Sequence, residues 1–123
     1  MSLTTIVPSV DSTILYVHNI CFIFFLGLQH IYEAENGLDG YELVKKHHED
    51  NDDFDFIITD NQMPVMDGIT SVTKIREIGY QHKIIMITGD CLVQDQTNML
   101  NCGVNHILLK PIEKDKMFAL LNL

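Results

Sequence analysis

A chain of 123 residues, 46% of them hydrophobic, can bury one substantial core but hardly two. Seventeen acidic residues against eight basic ones give a formal charge of −9, which argues against direct nucleic-acid binding, since that needs a basic face to displace counterions. The same balance reads as an acidic, soluble cytoplasmic protein. The most apolar stretch, Ile20 to Leu28, falls short of the roughly 20 residues that a membrane span takes. It also lacks the flanks of a secretion signal, so no direct membrane contact is expected. Cys21, Cys91 and Cys102 sit among apolar neighbours without metal-ligand spacing and read as reduced core or near-core thiols.

Met1 to Ser12 shows no periodicity and reads as a leader or tail, which leaves 13–123 as the domain. TILYVH (13–18) is an apolar run bounded by polar residues and predicts a buried strand. Ile20 to Gln29 must cross to the next strand, HIYEAE (30–35), which ends in an Asn36-Gly37 turn. Leu38 to His48 has helical spacing, and Asn51 to Asp53 form a loop. FDFIITD (54–60) predicts the third strand, and Ile69, Val72, Ile75 and Arg76 an amphipathic helix that stops near Gly79. KIIMIT (83–88) is the fourth strand, with a helix from Gly89-Asp90 to about Cys102. HILL (106–109) is the fifth, and Glu113 to Leu121 the last helix. Strands alternating with helices in this way imply a parallel sheet covered on both faces, a doubly wound α/β fold.

Three residues then fall at carboxyl ends of strands, where open α/β sheets put their chemistry: Asp60, Thr88 and Lys110. A carboxylate, a hydroxyl and an ammonium at one crevice suit phosphoryl transfer. The carboxylate attacks phosphorus, the cation neutralises the equatorial oxygens, and the hydroxyl donates to the new phosphate. Lys110 precedes Pro111, a residue often found in cis at tight turns.

The segments IITDNQMPVMDG (57–68), IIMITGD (84–90) and NHILLKPI (105–112) together resemble the receiver domain of two-component response regulators, especially receivers of hybrid histidine kinases. EAENGLDGYELV (33–44) and GDCLVQDQTNMLNCGVN (89–105) look like the family's regions around the helices after its second and fourth strands. The resemblance runs from about Ile14 to Leu121. It implies a flavodoxin-like five-stranded parallel sheet, with Asp60 as phosphoacceptor, Thr88 as switch hydroxyl and Lys110 as the phosphate-contacting lysine. It also implies a histidine kinase or histidine phosphotransfer domain as donor, and a magnesium ion at the acceptor. A receiver is a signalling domain that catalyses at most its own phosphoryl transfer.

The sequence departs from that pattern in three places. Receivers usually end strand one with two acidic residues that hold magnesium, where this chain has His18 and Asn19. Magnesium prefers oxygen ligands including one or two carboxylates, whereas a histidine nitrogen suits zinc, nickel or copper. Each absent carboxylate removes attraction on the order of a few kcal/mol at intermediate dielectric. Asp60 and a backbone carbonyl near Gln62 then remain as the main ligands, with Asn19 and His18 as the other candidates, and weak magnesium binding is expected. Asp11 lies at the wrong end of its strand, Asp67 reads as a helix-initiating residue, and Asp90 near the rim reads as a cap that is also the best substitute ligand.

The crossover of Ile20 to Gln29 is about two turns shorter than the family's first helix and apolar all round. A short buried helix, a homodimer surface, an exchanged element, or a stretch foreign to the domain all stay open. Finally, the position three before Lys110 is Ile107, beside His106, which removes the family's aromatic rotamer switch.

Among other candidates, His47-His48 read as a solvated helix end, because adjacent helical residues point apart. His30 and His82 read as strand flanks, and Met63, Met66, Met86 and Met99 as core filling. Three functional classes follow: a phosphoacceptor domain, a degenerate receiver that only docks partners, and a flavin or nucleotide enzyme. The last is disfavoured, because the loop after strand one carries no phosphate-cradling motif.

Overall fold

Every apolar run predicted as a strand enters one parallel sheet. The computed structural model describes residues 13–17, 30–89 and 92–121. Its strands are β1 (Thr13–Val17), β2 (His30–Ala34), β3 (Phe56–Asp60), β4 (Lys83–Thr88) and β5 (His106–Leu109), in the order β2-β1-β3-β4-β5. Its helices are α1 (Gly37–Glu49), α2 (Gly68–Glu77), α3 (Val93–Asn101) and α4 (Lys114–Leu121). The expected leader, the Ile20 to Gln29 crossover, and His18, Asn19, Cys21, Asp90 and Cys91 lie outside the described residues.

Strand alternation sorts the core onto two faces. Leu15, Val17, Ile57, Ile84 and Met86 pack with Val44, Val72, Ile75 and Met99 of α1, α2 and α3. Ile14, Tyr16, Ile58, Ile85 and Ile87 pack on the other side with Met117 of α4. These strands are buried on both faces, which is why they read as continuous apolar runs rather than alternating ones. Each fully buried isoleucine contributes about 1.5–3 kcal/mol. The strand order reverses between β1 and β3, so the chemistry-bearing crevice belongs at the carboxyl end of β3.

Element limits differ from expectation where side chains compete with the ladder. β3 starts at Phe56 rather than Phe54, because the two preceding residues are committed elsewhere. The Phe54 carbonyl accepts from the Tyr80 hydroxyl at 2.8 Å, while Asp55 N donates to Thr13 O (2.8 Å) and its carboxylate accepts from Thr13 N (2.7 Å). α3 begins at Val93, not at Gly89-Asp90, after a residue in extended conformation, Leu92.

The His47-His48 pair is a correction. His47 is only 14% exposed, stacked at 4.4 Å on the Phe54 ring and edge-on to Tyr32 at 5.2 Å. His48 Nδ1 lies 2.9 Å from Asp53 Oδ1. The two rings do point apart, but the loop before β3 folds back over both. His47 is therefore packed rather than solvated, while Lys46, Glu49 and Asp50 beside it are exposed as expected of a helix end.

Tyr80 is buried, and desolvation drives its hydroxyl well above the ordinary 10.0, against the pull of nearby Arg76. The unfolded chain releases this proton near that ordinary value while the folded chain retains it. The stabilisation is therefore complete below about pH 10 and is lost as pH rises beyond it. Tyr80→Phe is expected to flatten this alkaline decline while costing about 1–3 kcal/mol near neutrality, because the buried Phe54 carbonyl loses its donor. Urea titrations across an alkaline pH series check both effects.

Candidate functional site

Asp60 is the last residue of β3 and 6% exposed. One carboxylate oxygen, Oδ2, is 2.8 Å from Lys110 Nζ. The other, Oδ1, accepts from the Gln62 backbone N–H at 3.2 Å. Thr88 ends β4 and is fully buried, and its carbonyl accepts from Lys110 N at 2.9 Å. Asp60 pairs with Ile87 in the sheet register, so Thr88 stands one step beyond it on the neighbouring strand. The Lys110–Pro111 peptide bond is cis. Asp60, Gln62, Thr88 and Lys110 therefore come together at one sheet edge, although 50 positions separate the ion-paired residues.

The chain after Asp60 is fixed tightly. Asn61 N donates to Ile87 O at 3.1 Å, and Gly68 N donates to Asn61 O at 2.8 Å, closing the loop at its base. Asp67 caps α2, its side chain accepting from Thr70 N at 2.8 Å. That is the helix-initiating role read from the sequence, and it leaves Asp67 out of the crevice chemistry. Two features were not singled out from sequence: the Gly37 contact to this loop with its tie to Ser71, and the buried Asn61 Oδ1, which has no hydrogen-bond partner among the described residues. A buried orphan acceptor next to a carboxylate signals a donor or cation nearby.

The donor set bears on magnesium. Among the described residues no three His, Cys, Asp or Glu side chains converge as a metal cluster. Asp60 thus offers one carboxylate, already charge-paired, in a region with a further buried oxygen. Magnesium can be held by one carboxylate completed with carbonyl and water oxygens, though loosely. A surface depression lined by Glu33, Glu35, Asp39, Glu42 and Lys46 includes none of Asp60, Gln62, Thr88 and Lys110.

Among the described residues no helix is long and apolar enough to cross a membrane. The chain matches the model of the response regulator receiver domain over residues 12–122. Chemotaxis protein CheY of Bacillus subtilis is 32% identical over 100 residues, covering 78% of this chain and 76% of CheY. The signal transduction histidine-protein kinase BarA of Escherichia coli is 30% identical over 96 residues, 76% of this chain but 10% of BarA. The chain likewise spans only 14% of two-component system protein A of Emericella nidulans. Among solved structures, the complex of CheX and CheY with BeF3 and Mg2+ from Borrelia burgdorferi aligns with a TM-score of 0.74 at 26% identity, covering 86% of this chain and 83% of that one. With its sheet order, its edge cluster and these likenesses together, the chain belongs to the response regulator receiver domain family.

Proposed function

We propose that this domain accepts a phosphoryl group on Asp60 from a phosphohistidine of a histidine kinase or histidine phosphotransfer domain. The observation that carries the reading is the Asp60–Lys110 pair, 2.8 Å apart at the carboxyl edge beside Thr88. In the transfer an Asp60 oxygen forms the new P–O bond as the P–N bond to the donor imidazole breaks, and the freed ring nitrogen keeps the electron pair. Lys110 holds the equatorial oxygens through their change of charge, and the Gln62 N–H keeps the carboxylate oriented. Thr88 then supplies the hydroxyl that senses the product. Asp60 and the Gln62 carbonyl would hold a magnesium ion, with His18 and Asn19 as the further candidates from the sequence, and the ion would supply neutralisation of the phosphoryl oxygens. Its binding is weak, because the usual acidic pair is replaced.

The likeness to one domain of BarA supports a place within a longer phosphorelay protein. The net charge of −9 supports an output that runs through protein partners rather than DNA. Location in the cytoplasm and self-association belong to the same proposal.

A second reading, a degenerate receiver that docks partners without efficient phosphorylation, draws on the lack of an acidic cluster among the described residues. Incubation with acetyl phosphate across a magnesium titration, followed by intact mass, separates the two. Labelling at ordinary magnesium that disappears in Asp60→Asn supports the acceptor. No labelling in the wild type, with recovery in the His18→Asp, Asn19→Asp double variant, supports the docking module instead.

A further inference from the structure

The loop that follows Asp60 is braced from an element that takes no part in the phosphoryl chemistry. It leaves β3 at Asn61 and enters α2 at Gly68. At its base the backbone closes on itself, and a Cβ on Gly68 would stand 2.6 Å from Asp60 O. Further along, Val65 holds φ 69°, with Met66 N donating to Pro64 O at 2.7 Å. A β-branched residue avoids that conformation and keeps it only where its surroundings impose it.

Those surroundings are the first turn of α1. Gly37 N donates to Met66 O at 3.2 Å, and Gly37 O accepts from the buried Ser71 hydroxyl at 2.8 Å. A Cβ on Gly37 would stand 2.4 Å from Met66 O and 3.0 Å from Asp67 O, with backbone atoms on the receiving side. α1 is itself seated closely on the sheet, since a Cβ on Gly40 would meet Val17 Cγ2 at 3.0 Å.

We infer that Gly37 is a positioning residue for Asp60: its bare backbone holds the 61–67 loop against α1 and so keeps the Gln62 N–H on the Asp60 carboxylate. A side chain at 37 displaces Met66 by on the order of 1 Å to reach ordinary contact distance. With the loop pinned at Asn61 and Gly68, that movement is taken up between Gln62 and Met66. The geometry stands alone; its catalytic consequence rests on the reading of Asp60 as phosphoacceptor.

The test compares wild type, Gly37→Ala, and Gly37→Ala with Val65→Gly in the full chain. The first readout is the rate of Asp60 labelling by acetyl phosphate. Gly37→Ala is expected to be slower by about tenfold or more, because sub-ångström to ångström misplacement of reacting groups is costly. The Val65→Gly change lets the turn yield and restores part of the rate, which general destabilisation would not do. The second readout needs no phosphoryl transfer: the hydrogen-exchange protection of the Gln62 amide. In the wild type the bond to Asp60 Oδ1 protects this amide, and in Gly37→Ala this protection is largely lost. Gln62 protection unchanged from wild type in Gly37→Ala overturns the inference, as does an unchanged labelling rate. If the wild type fails to label while the Gln62 protection is lost in Gly37→Ala, the phosphoacceptor reading falls and the positioning role stands. Should Gly37→Ala not fold, Ser71→Ala removes the hydroxyl tie without adding bulk, and the same readouts decide.

Discussion

Replacing Arg76 with methionine is expected to destabilise the domain by about 3 kcal/mol and lower its melting temperature by about 10 °C. One guanidinium there makes four hydrogen bonds: Nε to Gly103 O (2.9 Å), Nη1 to Tyr80 O (2.9 Å) and His82 O (2.8 Å), and Nη2 to Asn105 Oδ1 (2.9 Å). Bonds from a charged donor are the stronger kind, though four on one group do not add in full. Their partners matter as much as their number. Gly103 sits at φ 117°, with Arg76 Cγ 2.8 Å from where a Cβ would be, so the side chain fills the space that glycine leaves. Asn105 Oδ1 also accepts from Ile84 N at 2.7 Å, which passes the tie to the start of β4. Arg76 thus fastens the end of α2 to the loops before β4 and β5. Arg76→Lys is expected to recover little, since an ammonium has no planar fork. Urea denaturation should show a lower midpoint with an unchanged slope. Because these contacts lie at the end of the sheet away from Asp60, the folded variant should keep the wild-type labelling rate. A marked fall in that rate at low temperature would contradict this separation.

How much of this was legible beforehand depended on whether the signal was local. The strands β4 and β5 match KIIMIT and HILL to the residue, because both are short apolar runs bounded by polar residues. The start of β3 does not match, since nothing in FDF announces that Tyr80, 26 positions away, takes the Phe54 carbonyl. Arg76 was read as part of an amphipathic face, but its four acceptors come from segments that only the fold brings near. The same distinction governs the site. Asp60, Thr88 and Lys110 were visible because the first two end strands, the third directly follows one, and parallel sheets align such ends. Gly37 was visible only as a turn residue. Its approach to Met66 joins two βα units, and no spacing in the chain records it.

Lys110→Met is expected to slow labelling of Asp60 by about 10²-fold, the usual loss when one preorganised donor to a developing charge is removed. The same change is also expected to cost more stability than Asp60→Asn, and the asymmetry follows from burial. The Asp60 side chain is 8% exposed and the Lys110 side chain 47% exposed. Removing the lysine withdraws the ammonium from a carboxylate that water barely reaches. Removing the carboxylate charge leaves an ammonium that water can solvate, and an asparagine oxygen can still accept from Gln62 N–H. With the pair half-screened, the difference amounts to about 1 kcal/mol rather than the several of a fully buried pair. The charge balance carries a further consequence. A site crowded with carboxylates is relieved when one is neutralised, so its Asp→Asn variant gains stability. Here Asp60 meets a cation at 2.8 Å and no acidic cluster among the described residues, so Asp60→Asn gains none. Melting curves of the three proteins, with and without magnesium, are expected to rank wild type at or above Asp60→Asn and Asp60→Asn above Lys110→Met. A clear rise in melting temperature for Asp60→Asn, or on removal of magnesium from the wild type, would show that repulsion between carboxylates governs this crevice after all.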